Sequence, residues 1–238
     1  MFFAWWDPTL LIVIPGLIFS LIAQFKIRSA YREGSAQMLR LGMTGGAVAR
    51  RILDSNHLTH VNIETIPGEL TDHYDPSAEV LRLSEAVLRG NNVAAVGVAA
   101  HEAGHAMQHG KGYLPLRLRS ALVPVTRIGA SLAMPLFLIG ILFAALMPAM
   151  GEWLMFLGLA FYSLAVIFQL VTLPVEFNAS RRAMRCLAGS GTMSDEELKG
   201  ARRVLNAAAM TYVASLAVSL LTLLRLLLIA SSLTRRRR

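Results

Sequence analysis

The sequence predicts a mainly α-helical integral membrane protein, with three or four transmembrane helices and a small α+β domain facing the cytosol. Three observations carry this expectation. Of 238 residues, 55% are hydrophobic and only 16% charged, whereas a soluble domain carries about 25% charged residues. Long apolar runs recur along the chain, and mean hydropathy is +0.52. One stretch of mixed polarity, residues 26–120, lies between the first two runs. With the spans set aside, enough chain remains for one small water-exposed domain.

Residues 1–25 form the first membrane anchor. Its apolar run, Pro8 to Phe25, has 18 residues and no charge, long enough to cross a bilayer. A cleaved signal peptide has positive residues before its apolar core. Here the order is reversed: Asp7 precedes the run, and Lys26, Arg28, Arg32, Arg40, Arg50 and Arg51 follow it. Positive-inside bias then puts the N-terminus outside and residue 26 onward in the cytosol.

Within residues 26–120, Met38, Leu41, Val48, Ile52 and Leu53 recur at roughly helical spacing, interrupted around Gly45-Gly46. From His60 to Pro76 the pattern alternates and carries Pro67-Gly68 and Asp75-Pro76, the signature of short strands and turns. One more strand is expected to end near Ser84. Asn91 or Asn92 then caps a helix from Val93 that Gly110 ends. Only Val93 to Ala100 of that helix is continuously apolar, too short to span, so it is expected to be a buried helix of the small domain.

Residues 121–174 read as a transmembrane hairpin, about Ile128–Met147 and Trp153–Leu173, with a tight turn at Pro148–Glu152. Arg117, Arg119 and Arg127 lie at its entry and Arg181, Arg182 and Arg185 beyond its exit, which keeps both ends cytosolic. Residues 175–206 form a second cytosolic segment, in which Ser194-Asp-Glu-Glu197 resembles a helix start. Residues 207–238 comprise an apolar helix with Arg225 inside it and the basic tail Arg235–Arg238. A fourth crossing carries four arginines outside, against the charge rule, and the alternative is a helix lying along the membrane surface. Crossing is the preferred reading.

The net charge of +8 is read as loop bias and attraction to the lipid bilayer, since no nucleic-acid-binding motif is present. Cys186 is the only cysteine, which excludes a disulfide framework and a cysteine metal site and suits a reducing compartment.

The chemistry is concentrated in "VAAHEAGHAMQHG", residues 98–110, which holds His101, Glu102 and His105. Helical residues four apart lie nearly above one another, so His101 and His105 can offer imidazole nitrogens to one ion. Glu102 is about 100° around the helix, beside such an ion rather than on it. Zinc hydrolases use this arrangement: the metal brings the pKa of a water to about 7 and the glutamate takes its proton. One Zn2+ per chain is therefore expected. The plainer alternative is two histidines making routine helix hydrogen bonds. Against it, Ala99, Ala100, Ala103, Gly104 and Ala106 let other elements pack close.

A third protein ligand must come from elsewhere on the same side. His57, His60, His73 and His109 are the histidine candidates. Three ligands on successive turns of one helix spread over about 12 Å, so His109 is read as a helix-end group. Glu176, in "LPVEFNASRRAM", follows the third span immediately. A glutamate at a membrane boundary is costly unless paired or bound to a cation. It is either the ligand or the partner of Arg181 or Arg182 at helical distance.

"LTDHYDP", "GVAAHEAGHAMQH" and "PVEFNASRRA", in this order and spacing, resemble the motifs of the YugP family of neutral zinc metallopeptidases. The likeness covers most of residues 60–190 and extends more loosely to HtpX and the CAAX prenyl proteases. It implies a zincin-like cytosolic domain of gluzincin type, with His101, His105 and Glu176 as zinc ligands and Glu102 as catalytic base. One position departs from the HtpX pattern. Those enzymes carry an aspartate four residues after the glutamate ligand, where this chain has Ser180. Asn178 is a further candidate to orient a ligating histidine.

The rest of the expected site is less specific. Zincins bind extended substrates along an edge strand beside the active-site helix, and "EVLRLSE", residues 79–85, is either that edge or an internal strand. His73, Tyr74, Arg181 and Arg182 are candidates to stabilise an oxyanion. For Asp72, His73 and Asp75 a turn held by side-chain hydrogen bonds is the simpler reading.

The expected function is a multi-pass zinc endopeptidase of the cytoplasmic membrane, acting from the cytosolic face on membrane-associated or misfolded protein. Two alternatives differ in kind. An intramembrane protease of the site-2 type needs the motif inside a span and an aspartate in a later one, and no later span contains an aspartate. A non-catalytic adaptor or assembly protein could retain the metal site, although structural zinc usually has four protein ligands. No motif specifies an oligomeric state.

Overall fold

The computed structural model describes residues 7–235. The first six residues of the anchor and the last three arginines of the basic tail lie outside the described residues. The elements are α1 (Leu10–Ala36), α2 (Gly45–Ser55), β1 (Asn62–Ile66), β2 (His73–Asp75), β3 (Val80–Ser84), α3 (Glu85–Arg89), α4 (Val93–Gly110), α5 (Leu114–Leu146), α6 (Pro148–Gly189) and α7 (Asp195–Arg235). Four helices, α1, α5, α6 and α7, are long and apolar enough to cross a membrane. The chain is thus mainly helical with one small sheet, as a multi-pass membrane protein requires.

Several boundaries differ from the expected ones, for a common reason: polarity marks where an apolar run stops, not where a helix does. The first helix continues past Phe25 to Ala36. Gly45-Gly46 opens α2 rather than interrupting a helix, and Thr44 caps it by accepting from Ala47 N at 3.2 Å. The tight turn expected at Pro148–Glu152 is helical. Met147 alone separates α5 from α6, and Pro148 opens α6, where its missing N–H is no loss. The last helix begins at Asp195, not near 207. Ser194 N donates to Glu197 Oε2 (2.6 Å) while Glu197 N donates to Ser194 Oγ (3.4 Å), a reciprocal cap.

The chain forms two compact units, one of them comprising Leu118–Thr172 with the chain up to Ile22 and from Tyr212. Here α5 and α6 touch backbone to backbone. A Cβ on Gly158 would stand 2.7 Å from Ala133 O, and one on Gly140 2.6 Å from Met155 N, the small-residue contact typical of membrane helices. Phe137, Ala144, Met155 and Leu226 form the core of this unit. Helix α7 packs lengthwise on α1: Gly16 faces Val218 and Leu221, and Arg225 reaches Asp7 at 2.8 Å and Thr9 Oγ1 at 3.2 Å. The one charge in the last apolar run is therefore paired.

The other unit comprises Ala23–Arg117 and Leu173–Thr211. Its sheet has the order β1-β3-β2. Strand β3 is parallel to β1, with Asn62 opposite Val80, and antiparallel to β2, with Tyr74 opposite Leu81. Residues 79–85 are consequently the central strand and cannot be a substrate edge. Val80, Leu81 and Leu83 are all buried, which requires cover on both faces. The short β2 is an edge, and it touches α4.

Helix α4 runs through this unit's core with α2 against it. Asn92 caps it, Oδ1 accepting from Ala95 N at 2.9 Å. Asn92→Ala removes that acceptor and should lower stability by about 1 kcal/mol, while Asn92→Asp should retain it. Thermal unfolding of the purified protein in detergent reads the difference.

Candidate metal centre

Helix α4 sets His101 and His105 one turn apart, their ring centroids 4.8 Å apart and edge-on at 87°. Glu176 arrives from α6. Its Oε2 lies 3.2 Å from His101 Nε2 and 3.8 Å from His105 Nε2. Two ligands of one tetrahedral zinc, each bonded at about 2.0–2.1 Å, stand about 3.3 Å apart. Two imidazole nitrogens and a carboxylate oxygen at these separations fit such an ion with small adjustment.

Close approach of the two helices depends on Gly104. A Cβ there would stand 2.7 Å from Ala179 O, so no side chain fits, and Ala179 sits one turn from Glu176 on the facing helix. Burial pushes the Glu176 carboxyl up, but hydrogen bonds and charge from His101 and His105 outweigh it and hold the group well below the usual carboxylate range.

The far nitrogens of both rings are also held. Ser180 Oγ lies 3.1 Å from His101 Nδ1, and Gln108 Oε1 lies 3.0 Å from His105 Nδ1. Gln108 is fully buried. Its amide nitrogen donates to Val175 O (2.8 Å) and to Asn178 Oδ1 (3.0 Å). Both amide hydrogens are engaged, so Oε1 must accept from His105 Nδ1–H, which leaves Nε2 as the nitrogen that faces Glu176: protonated, it pairs with the carboxylate, and deprotonated, it would offer its lone pair to a metal ion. Asn178 Oδ1 also accepts from Arg182 Nε at 2.7 Å, and the Arg182 guanidinium lies over the Tyr113 ring at 5.9 Å. Arg182 thus belongs to the layer behind His105, while Arg181 is exposed.

Glu102 stands beside the two histidines, and potential ligand atoms of the three residues lie within 4.8 Å of one another. Tyr74 N donates to Glu102 Oε2 at 3.1 Å, so edge strand β2 fixes this carboxylate through the main chain. Burial raises the Glu102 pKa to about 7. His101 works against that rise, and the negative charges of Glu176 and Asp72 add to it.

The other candidates fall elsewhere. The Tyr74 hydroxyl is engaged with His109 Nδ1 at 2.8 Å, and its pKa is pushed up to about 12 by burial and then by Glu79 and Asp75. His109 lies in the last turn of α4, as expected of a helix-end group, and its partner there is the Tyr74 hydroxyl. His73 Nδ1 lies 2.8 Å from Thr71 O and its Nε2 3.5 Å from Arg82. Asp72 accepts from Ser84 N at 2.7 Å, and Asp75 accepts from Ser77 N, Ala78 N and Arg82. This segment is a side-chain-held turn and strand.

Gln108 is the residue that sequence reasoning missed. Its signal was an amide three residues after a ligand-type histidine, in a helix whose only other polar residues are the three histidines and Glu102. Ser180→Ala and Gln108→Leu should each weaken zinc binding about 10–100-fold, read by competition with a chromophoric chelator.

Four helices long and apolar enough to cross a membrane, and a cluster of two histidines and two glutamates with donors spaced for a metal ion, define the class: a multi-pass membrane protein with a candidate metal centre. The chain belongs to the family described as "Putative neutral zinc metallopeptidase", which it matches over residues 9–231. It is 45% identical over 218 residues to "Putative membrane protease YugP" of Bacillus subtilis (strain 168), a match that covers 92% of this chain and 94% of that protein. No solved structure matches the chain.

Proposed function

We propose that this protein is a zinc-dependent endopeptidase of the cytoplasmic membrane, with His101, His105 and Glu176 as metal ligands and Glu102 as general base. The observation that carries the reading is the convergence of Glu176 on the Nε2 atoms of both histidines, at 3.2 and 3.8 Å, with a separately held carboxylate beside them. When bound, zinc supplies Lewis acidity toward a peptide carbonyl and makes a water acidic enough to ionise near neutral pH.

This chain's own residues do the rest. Gln108 and Ser180 hold the imidazoles in position. Tyr74 N–H holds Glu102 by Oε2, which leaves Oε1 to take the proton of the attacking water. Water oxygen joins the carbonyl carbon, Glu102 passes the proton to the amide nitrogen, and the C–N bond breaks to release an amine and a carboxylate.

The proposed topology has residues 26–120 and 175–206 in the cytosol and α7 crossing the membrane. Positive charge after α1 and around the hairpin supports the first part. Lengthwise packing of α7 on α1, with Arg225 paired to Asp7, supports the second. The proposed substrates are membrane proteins or their cytosolic segments, partly because the relative is named a membrane protease.

Metal removal tests the reading. Purified protein should hold about one zinc per chain, lose proteolysis of an unfolded or membrane protein on chelation, and regain it with one equivalent of zinc. Zinc-loaded protein that cleaves neither kind of substrate would overturn the enzyme assignment in favour of a scaffold.

A further inference from the structure

The unit that contains α5 has a groove of about 520 Å³, lined by Trp153, Phe156 and Leu227 along its apolar walls and by Glu152, Ser231 and Thr234. That volume is within the range of small-molecule sites, about 300–1,000 Å³, which are mostly apolar with a few polar groups. Two features narrow the occupant. Glu152 is the only residue charged at neutral pH from Ile128 to Val175, and it makes no ion pair among the described residues. An acid so placed in a membrane segment favours a cation. The hydroxyls point the same way. Ser231 donates to Leu228 O at 3.0 Å and Thr234 to Ala230 O at 2.9 Å. Their hydrogens are engaged, so their oxygens are left as acceptors.

An apolar slot bordered by acceptors and one carboxylate suits an amphiphile with a donor cation. The groove lies where the hairpin turn and the last turns of α7 meet, and Trp153 there is a residue typical of membrane interfaces.

We propose that this groove binds a phospholipid with a primary-amine headgroup. One acyl chain lies along Phe156 and Leu227, and the ammonium donates to Glu152 and to the Ser231 and Thr234 oxygens. A trimethylammonium headgroup has no N–H to donate, and a glycerol headgroup has no charge for Glu152. The site should therefore tell these lipids apart.

Native mass spectrometry of the full-length protein tests this, using equimolar phosphatidylethanolamine, phosphatidylcholine and phosphatidylglycerol with the same acyl chains. Phosphatidylethanolamine should be retained over the other two by roughly fivefold, the scale of one exposed ion pair. Glu152→Gln should abolish the preference without changing the melting temperature. Ala230→Trp, which fills the groove, should remove the adduct. Equal retention of the three lipids would overturn the proposal. So would a preference that survives Glu152→Gln, as when Glu152 holds the chain's own arginines, or a dimer in place of the lipid adduct. Lipid retention is read without proteolysis, so this result stands or falls apart from the enzyme assignment.

Discussion

Glu102→Gln is expected to keep its zinc and lose proteolysis by about 10²–10⁴-fold, the range of a general base. Glutamine keeps the shape and an oxygen that can still accept from Tyr74 N, but it cannot take a proton. Glu102 is not among the three proposed ligands, so metal content should match the wild type. pH supplies a second readout. The base works only when ionised, so activity rises as pH rises through its pKa. Without metal, burial puts that pKa at about 7, and a neighbouring cation favours the charged form. The acid limb of kcat/KM should therefore fall no higher than about 7, and Glu102→Gln should lack it. In metal-free protein the sign for stability is the reverse. A carboxyl whose pKa is raised on folding destabilises the fold as pH climbs from its ordinary value through the raised one. Metal-free Glu102→Gln should accordingly melt above metal-free wild type near pH 8. Activity within a few-fold of wild type in Glu102→Gln would remove Glu102 from the reaction.

Glu176→Ala is expected to lose the metal outright, and with it all activity. The variant leaves two imidazoles on one helix, and a two-ligand site lacks the three protein ligands of catalytic zinc. Elemental analysis after gel filtration reads the loss directly. Full zinc content in Glu176→Ala would mean that the third ligand lies elsewhere. A structural contribution accompanies it in the metal-free protein. The Glu176 pKa is lowered on folding, since its histidine partners outweigh burial. Its contribution is present above the ordinary glutamate pKa, about 4.3, and disappears as pH falls through the lowered value. Glu176→Ala should therefore flatten the acid side of the stability profile of metal-free protein.

Much of this architecture was legible in the residues. Asn92 opens α4 where the sequence places it because N-capping is local, and the helix runs through Gly110 to a C-cap at Lys111. His101, Glu102 and His105 share a region because helix geometry is fixed. Glu176 could be reached by following the chain through two apolar runs. What stayed hidden depends on contacts between distant residues. Strand β3 reads as an edge or an interior strand until β1 and β2 flank it, although Val80 and Leu81 point to opposite faces and are both buried. Gln108 has no assigned role in the sequence until His105, Val175 and Asn178 surround it. Helix α6 reads as ending with its apolar run because lipid and water select different side chains, not different backbones. Pro174 lies inside the helix and does not end it.

The two halves of the centre are separated in time as well as in sequence. His101 and Glu176 are 75 residues apart, and a ribosome adding about 5–20 residues per second needs roughly 4–15 s to go from one to the other. During that interval the nascent chain carries the imidazole pair without its carboxylate, while the hairpin between them is still being synthesised and inserted. If Glu176 is the third ligand, the proposed metal centre is incomplete until the hairpin is made, and the proposed activity would arise only after the membrane segments that precede Glu176 have been synthesised.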